Sequence, residues 1–242
     1  MSPCPTDIDF DHIELVSFDC YGTLIDWETG ILNALRPVLV AHGISATDST
    51  VLRCYSDIEP PLQAGPYRSY RTILRETVVE FGRRLGFAPS ADDREVLVNS
   101  LPHWRPFADT TASLRRLSAR FQLAVLSNID DDLFEATALH LGVKFDHVIT
   151  AARVNSYKPA PGHFHELLRR TGRPPAFHLH AAESLFHDIE PANALGIPNV
   201  WVKRSHAHRE SSASRRVATQ PSASVSDMAE LADLLVPGKE TT

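Results

Sequence analysis

Cysteine is scarce, with three among 242 residues: Cys4, Cys20 and Cys54. An odd number without metal-ligand spacing argues against a disulfide framework and fits a reducing compartment. Positive charge is in deficit as well. The 24 Lys and Arg against 30 Asp and Glu leave a net charge of −6. No basic face is implied, which disfavours nucleic acid as a partner. No apolar run is long enough to span a bilayer, and the start of the chain carries no signal-peptide pattern. A cytoplasmic protein with no membrane partner is expected. Internal repeats are lacking too.

What is present is apolar content: 43% of the residues are hydrophobic, enough for one large domain or a domain with an insert. Residues 13–18 (IELVSF) form a short apolar run with the length of a buried strand. From Trp27 to Trp104 the pattern is helical: 29–42, 48–58, 67–85 and 90–100. Pro37 is expected to kink or restart the first of these. Ser90 is a candidate N-cap and Gly86 a candidate stop. No convincing strand falls in this block. After Trp104 the pattern alternates. Helices at 109–118, 131–141, 161–172 and 188–195 separate apolar runs at 121–127, 147–150, 177–182 and 199–203. Alternating strands and helices imply a parallel sheet covered on both faces. The expected fold is α/β: a doubly wound parallel-sheet, Rossmann-like core from 1–26 and 105–242, with 27–104 as an inserted helical cap domain. Residues 205–224 are Ser-rich and polar, as in a surface loop. A last helix from Asp227 to about Leu235 returns to the core.

In open parallel sheets ligands bind at the carboxyl ends of the strands. The first run ends in Asp19, the second in Ser127 and Asn128. The third is followed by Ser156-Tyr157-Lys158-Pro159, the fourth by Glu183, Ser184 and Asp188. One polar ending means little, because loops are polar anyway. Four endings with three acids and a lysine at one edge mark a candidate site. Cys20, beside Asp19, is better explained as a packing residue, since no histidine near it in sequence would activate it.

"DCYGTL", a helical insert, "LSN", "SYKPAP" and an acidic fourth motif together resemble the haloacid dehalogenase superfamily. The stretches "FDCYGTLIDWETGI" and "AESLFHDIEPANALGI" are most similar to its L-2-haloacid dehalogenase and azetidine-2-carboxylate hydrolase branch. The resemblance implies a hydrolase in which Asp19 is a nucleophile that forms an aspartyl ester, later cleaved by water. It implies that Thr23, Ser127 and Asn128 hold the substrate or the Asp19 oxygens, and that Lys158 lies near Asp19. A charge pair ~4 Å apart at an effective dielectric near 20 interacts by about 4 kcal/mol before desolvation, enough to keep Asp19 ionised.

Phosphatases of this superfamily place a second aspartate two residues after the nucleophile, as general acid and base. Here that position is Tyr21. A phenol with a pKa of roughly 10 is a poor substitute at neutral pH. The leaving group should therefore need no proton from position 21. A halide on C2 of a short carboxylic acid meets that condition, as does a strained ring ammonium. The fourth motif departs from the dehalogenases' Ser-x-Asn-x-x-Asp pattern. Asp188 matches the last acid, while Glu183 and Leu185 replace the serine and the asparagine. An acid five residues before Asp188 is closer to the magnesium phosphatases, and Asp19, Glu183 and Asp188 would be its oxygen ligands. Without a metal, Glu183 is expected to bind a proton or a substrate ammonium. The metal-free reading, with no cofactor, is preferred and Mg²⁺ is kept as the alternative.

The insert is expected to cover the site and to supply an arginine for a substrate carboxylate, with Arg53, Arg68 and Arg71 as candidates. A solvated helix face is the competing explanation for each. Trp27, Tyr55 and Tyr67 suit an apolar pocket or simple core packing. His178 and His180 share a strand face without a third ligand at metal spacing. Satisfied buried histidines are the expectation there, whereas His187, next to Asp188, is a candidate for water activation. The expected partner is a small molecule, and a homodimer is allowed. The competing functions are a Mg²⁺-dependent small-molecule phosphatase and an inactive family member that serves as a binding protein.

Overall fold

Strand β1 (Leu15–Phe18) is buried along its whole length, and its side chains alternate between two apolar clusters. Leu15 joins Ala124, Leu126, Phe164 and Ala192 on one face, while Val16 and Phe18 join Leu123, Val125, Leu114 and Leu231 on the other. A strand apolar on both faces needs a cover on both faces, which in a parallel sheet is supplied by the crossover helices. The computed structural model describes residues 10–204 and 219–237. Within them β1 lies inside a six-stranded, all-parallel sheet of order β3-β2-β1-β4-β5-β6. The other strands are β2 (Gln122–Ser127), β3 (His147–Thr150), β4 (His178–Ala182), β5 (Asn199–Val202) and β6 (Ala223–Val225). Phe18 is in register with Val125 of β2 and Ala181 of β4, so the last residues of the central strands end at one edge.

Strand β6 was not expected: Ala223 and Ser224 fall in the segment assigned to a polar loop. Its three residues pair only with β5 at the sheet edge, so only Val225 is fully buried and no apolar run betrays it. Residues 205–218 of that expected loop lie outside the described residues.

Five α-helices intervene between β1 and β2, with no strand among them: α1 (Trp27–Ala41), α2 (Asp48–Gln63), α3 (Tyr70–Leu85) and α4 (Ala91–Ser100), all within the insert, and then α5 (Thr110–Ser118). The helix does not restart at Pro37 but runs through it. Proline sits on the exposed side of α1, and burial of Leu35, Val38 and Leu39 offsets the missing hydrogen bond. Helix α2 also outruns its expected end at 58 and continues through Pro60 and Pro61. Helix α3 starts at Tyr70 rather than 67, because the Ser69 hydroxyl accepts from Thr72 N–H and caps it. Ser90 caps α4 as expected, and Asp93, which the sequence reading did not single out, completes a reciprocal capping box. Helix α1 crosses Trp104 at Gly30, where a Cβ would lie 2.4 Å from the indole, so only glycine allows this approach.

The core helices lie on both sides of β2 in chain order. Helix α5 (Thr110–Ser118) precedes that strand, and α6 (Asp131–Leu141), α7 (Ala151–Val154), α8 (Gly162–Thr171), α9 (Glu190–Ala194) and α10 (Met228–Leu235) follow it. Helices α5 and α10 pack together on one face of the sheet, and α8 and α9 contribute to the apolar cluster on the other. The helix expected at 188–195 begins earlier, with a single π-helical turn over Leu185–Ile189 that runs into α9.

The strand order places the topological switch beside β1. The chain leaves β1 for β2 on one side and later enters β4 on the other, which opens a crevice at their carboxyl ends. Beyond β1 the backbone turns sharply, with Thr23, Leu24 and Ile25 N–H all directed at the Cys20 carbonyl. Gly22 sits in this turn at φ +95°, a conformation that side-chain-bearing residues rarely adopt.

Candidate active site

Asp19 is the first residue beyond β1, and its carboxylate is held at both oxygens. Oδ2 accepts a 2.8 Å hydrogen bond from the Thr23 hydroxyl, and Oδ1 accepts one of 2.8 Å from Lys158 Nζ. Thr23 can reach back because the Gly22 turn folds it over the strand end; its Oγ1 also accepts from Glu183 N–H at 3.0 Å. The Thr23 hydroxyl thereby ties the end of β1 to the end of β4.

Lys158 is buried, and its ammonium donates to Asp19 Oδ1 (2.8 Å), Asp188 Oδ1 (2.6 Å) and the Leu126 carbonyl (2.8 Å). All three protons are used, the condition for burying an ammonium without large loss. Asn128 fixes the backbone of this lysine: its Oδ1 accepts from Lys158 N–H (2.7 Å) and its Nδ2 donates to the Lys158 carbonyl (3.1 Å). Asn128 borders the cavity, but its amide is engaged chiefly with Lys158.

Asp188 projects from the π-helical turn and is fully enclosed. Its Oδ1 accepts from Lys158 and from His180 Nε2 (3.1 Å), while its Oδ2 has no partner among the described residues. His180 Nδ1 meets Ser17 Oγ at 2.9 Å, so a polar chain runs beneath the sheet edge from β1 to Asp188. His178 is buried too; its Nε2 meets Thr171 Oγ1 at 3.2 Å, but its Nδ1 has no partner among the described residues, so of the two strand histidines only His180 is fully satisfied as expected. His187 Nδ1 meets Ser184 Oγ at 3.0 Å.

Electrostatics separate the two aspartates that share Lys158. Burial raises the carboxyl pKa of both. For Asp188 the ammonium of Lys158 and the imidazole of His180 overcome it, and its carboxyl is held well below the usual range. For Asp19 burial prevails over Lys158, and the nearby Asp188 charge adds to it, so its carboxyl is pushed above its ordinary value. Lys158 is driven the other way by burial, yet its two carboxylate partners hold it above the usual lysine value. Burial lowers His187, favouring its neutral form.

A cavity of about 120 Å³ lies against these groups. Asp19, Tyr21, Ser127, Lys158, Glu183 and Asp188 line the sheet side, and α2 residues line the opposite wall. Its size suits a molecule of few atoms, well below the ~300–1,000 Å³ of drug-sized sites. The Ser127 hydroxyl is buried here without a partner among the described residues. Tyr21 contributes its ring, but its hydroxyl leaves the cavity and contacts Thr137 Oγ1 at 2.7 Å. Thr137 Oγ1 in turn donates to the Leu133 carbonyl, so the phenol is the donor to Thr137. Burial pushes that phenol well above its ordinary pKa.

Two expected groupings are not formed in this arrangement. Neither Arg68 nor Arg71 borders the cavity. Arg68 pairs with Glu76 (2.5 Å) and the Leu62 carbonyl, and Arg71 pairs with Asp132. Carboxylates on neighbouring helices are available to both guanidinium groups, and they satisfy them outside the cavity. The Mg²⁺ alternative fares no better. The ammonium of Lys158 stands between Asp19 and Asp188, where a cation bridging the two would sit. Among the described residues no group of three or more His, Cys, Asp or Glu is arranged to hold a metal ion. Asp19, Glu183 and Asp188 do not fit a divalent cation in this arrangement.

Sequence reasoning missed Glu59, Ser56 and Gln63 of α2, all on the cavity wall. A signal existed. Val51, Leu52, Tyr55 and Ile58 form the buried stripe of α2, and Glu59 occupies the next position at helical spacing, where an apolar residue would continue it.

A buried aspartate and lysine at the switch point of a Rossmann-like sheet, with a helical insert after its first strand, define the class of this protein as an α/β hydrolase. Residues 13–196 match the haloacid dehalogenase-like hydrolases, and the chain belongs to that family. It is 27% identical over 227 residues to the (S)-2-haloacid dehalogenase H-109 of Pseudomonas putida, covering 93% of this chain and 98% of that one. The fold superposes on an L-2-haloacid dehalogenase from Xanthobacter autotrophicus with a TM-score of 0.77 and 21% identity, over 92% and 98% of the two chains. It also matches a magnesium-bound HAD-hydrolase from Bacillus subtilis, with a TM-score of 0.74 and 16% identity, over 92% and 98%.

Proposed function

We propose that the protein hydrolyses a small 2-substituted carboxylic acid by substitution at C2, with Asp19 as nucleophile. An Asp19 oxygen attacks C2, and the C2–leaving-group bond breaks with its electron pair going to a halide or to a strained ring amine. An aspartyl ester results, with inversion at C2. Water then attacks the Asp19 carbonyl carbon and gives up a proton to Asp188 or His187. The free Asp188 Oδ2 supports the role of acceptor. Lys158 and Thr23, already on the two Asp19 oxygens, stabilise the negative charge that develops there. Ser127 Oγ is the donor available for the substrate carboxylate, and Asn128 holds Lys158 in place. The helices of 27–104 act as the cap that keeps bulk water out.

One observation carries this reading: the hydroxyl of Tyr21 points at Thr137 and not into the cavity. No general acid is offered at that position, so the leaving group must depart without one. The names of the relatives agree with a halide. The substituted fourth motif, with Glu183 in the cavity, keeps a cyclic amino acid such as azetidine-2-carboxylate in the substrate class.

The test is a single-turnover reaction in H₂¹⁸O with a panel of 2-haloacids, azetidine-2-carboxylate and phosphate monoesters, each with and without EDTA. Label is expected on the peptide containing Asp19 and absent from the first product, with no effect of chelator. Label in the first product would mean direct attack by water. Rapid cleavage of phosphate esters alone, abolished by EDTA, would establish the magnesium phosphatase instead.

A further inference from the structure

The cavity has an unusual charge balance. Asp19, Glu59, Glu183 and Asp188 bring carboxyl groups to its lining, whereas Lys158 is the one lysine or arginine among the lining residues. All three ammonium protons of Lys158 already have acceptors. A substrate whose only charge is a carboxylate would add to this negative surplus and find no cation to meet it.

Glu59 stands out within the surplus. It sits on α2, on the wall away from the sheet, and plays no part in the chemistry at Asp19. Its Oε1 accepts from the Tyr70 hydroxyl (2.7 Å) and the Tyr55 hydroxyl (3.2 Å). Its Oε2 takes no hydrogen bond from any described residue. The carboxyl group is therefore oriented by two phenols, with one oxygen left over. Trp27, Tyr55, Tyr70 and Tyr21 supply rings to the same cavity, and Trp27 packs edge-on against Tyr55 at 5.6 Å between ring centres. A carboxylate among aromatic faces is the environment that binds an organic cation, by ion pairing and by attraction to the ring faces. Hydrophobic packing alone would have placed an apolar residue at 59.

We infer that Glu59 is the specificity-determining residue of this site and that it binds a protonated amine carried by the substrate beside its carboxylate. The inference rests on the proposed substitution at C2 only for the reacting centre; recognition of the amine stands on the cavity itself. Within the substrate class above it selects amino or imino acids over simple haloacids. Burial pushes the Glu59 carboxyl above its ordinary value when the cavity holds no cation, and an ammonium against Oε2 would draw it back.

The experiment compares two unreactive probes of equal ring size by calorimetric titration of the whole protein. L-Proline carries a ring ammonium and a carboxylate; cyclopentanecarboxylate carries the carboxylate alone. The wild type is expected to bind L-proline at least tenfold more tightly. Glu59→Gln should reduce that preference tenfold or more, by weakening L-proline and not by weakening cyclopentanecarboxylate. Glu59→Asp should fall between them, and thermal melts of both variants establish that the fold is kept. An unchanged preference in Glu59→Gln, equal binding of the two probes, or no binding of L-proline to the wild type overturns the inference. The C2 nitrogen of L-proline sits in an unstrained ring and cyclopentanecarboxylate has none, so neither probe turns over and these outcomes are independent of whether ¹⁸O reaches Asp19.

Discussion

Lys158 serves two carboxylates at once, and the consequences for each are opposite. The folded state holds Asp188 ionised below its ordinary pKa of 3.8, so its contribution to stability is present above that value and is lost as pH falls through the folded one. Asp19 is raised above 3.8, so the fold favours its protonated form, and that contribution disappears as pH rises through its folded value. At neutral pH the charged form of Asp19 is thus a cost to the fold. Asp19→Asn is expected to abolish turnover and raise stability at pH 7 by roughly 1 kcal/mol, the usual scale for relieving a functional site. Asp188→Asn removes a well-held partner from a buried ion pair and should lower stability by about 3 kcal/mol. Urea unfolding of both variants at pH 7 measures the contrast, and the same sign for both would contradict the assignment. If Asp19 attacks as the carboxylate, as proposed, the acid limb of kcat/KM should also lie above the ordinary carboxylate range, as a pH–rate profile would report.

Among the elements, α3 depends on a residue far away in sequence. Asp130, at the end of the loop after β2, accepts from Tyr70 N–H (2.9 Å) and Arg71 N–H (3.0 Å), the first amides of α3. The Tyr67 hydroxyl also reaches Asp130 at 3.2 Å. A carboxylate at a helix start satisfies amides that have no partner within the helix and opposes the positive end of its dipole. Here it also pins the helical insert to the end of β2 and the loop after it, which carry Ser127 and Asn128. The Tyr157 hydroxyl adds a 2.7 Å bond to the Arg68 carbonyl beside Lys158. Asp130→Ala is expected to cost about 1–2 kcal/mol, as lost caps do. It should also raise KM more than it lowers kcat, because the cavity wall loosens while Asp19, Lys158 and Asp188 keep their contacts. Steady-state kinetics with a denaturation curve test both parts, and a kcat defect at unchanged KM would show that the wall is held by other contacts.

Across the whole molecule, Arg204 joins the reacting turn to the last helix. It leaves the end of β5 almost fully buried and donates to the Thr23 carbonyl (2.9 Å), to both Asp109 oxygens (2.8 Å each) and to Thr110 Oγ1 (3.2 Å). Asp109 Oδ2 also accepts from Met228 N–H at 2.7 Å, at the start of α10. A residue near the end of the sequence therefore braces the turn that aims Thr23 at Asp19. Arg204→Ala should destabilise by about 3 kcal/mol through the unpaired groups it leaves. It should lower kcat as well, whereas Arg204→Lys, with charge but no planar fork, should recover part of each. Equal stability in Arg204→Ala by urea unfolding would remove the bracing role.

Much of the site was legible because its residues stand at ends. Asp19, Ser127, Glu183 and Asp188 follow apolar runs of strand length, and a parallel sheet carries such ends to one edge whatever the loops do. Lys158 was legible through the order of motifs, not through any local pattern. Helix stops at Gly86, Gly142 and Gly172 likewise follow from local backbone chemistry, with all three at positive φ. Local signals failed where a partner from elsewhere decides the outcome. Pro37 is tolerated because α1 buries its other face, and β6 exists because β5 offers an edge. Arg68 and Arg71 find acids brought close only by helix packing, and Glu59 becomes a cavity residue only when α2 lies across the switch point. The order of apolar and polar residues along the chain determined the strands, their direction and the acids at their ends. Which charges meet which was decided by packing, since pairing between side chains far apart in sequence depends on distances that only the folded chain creates.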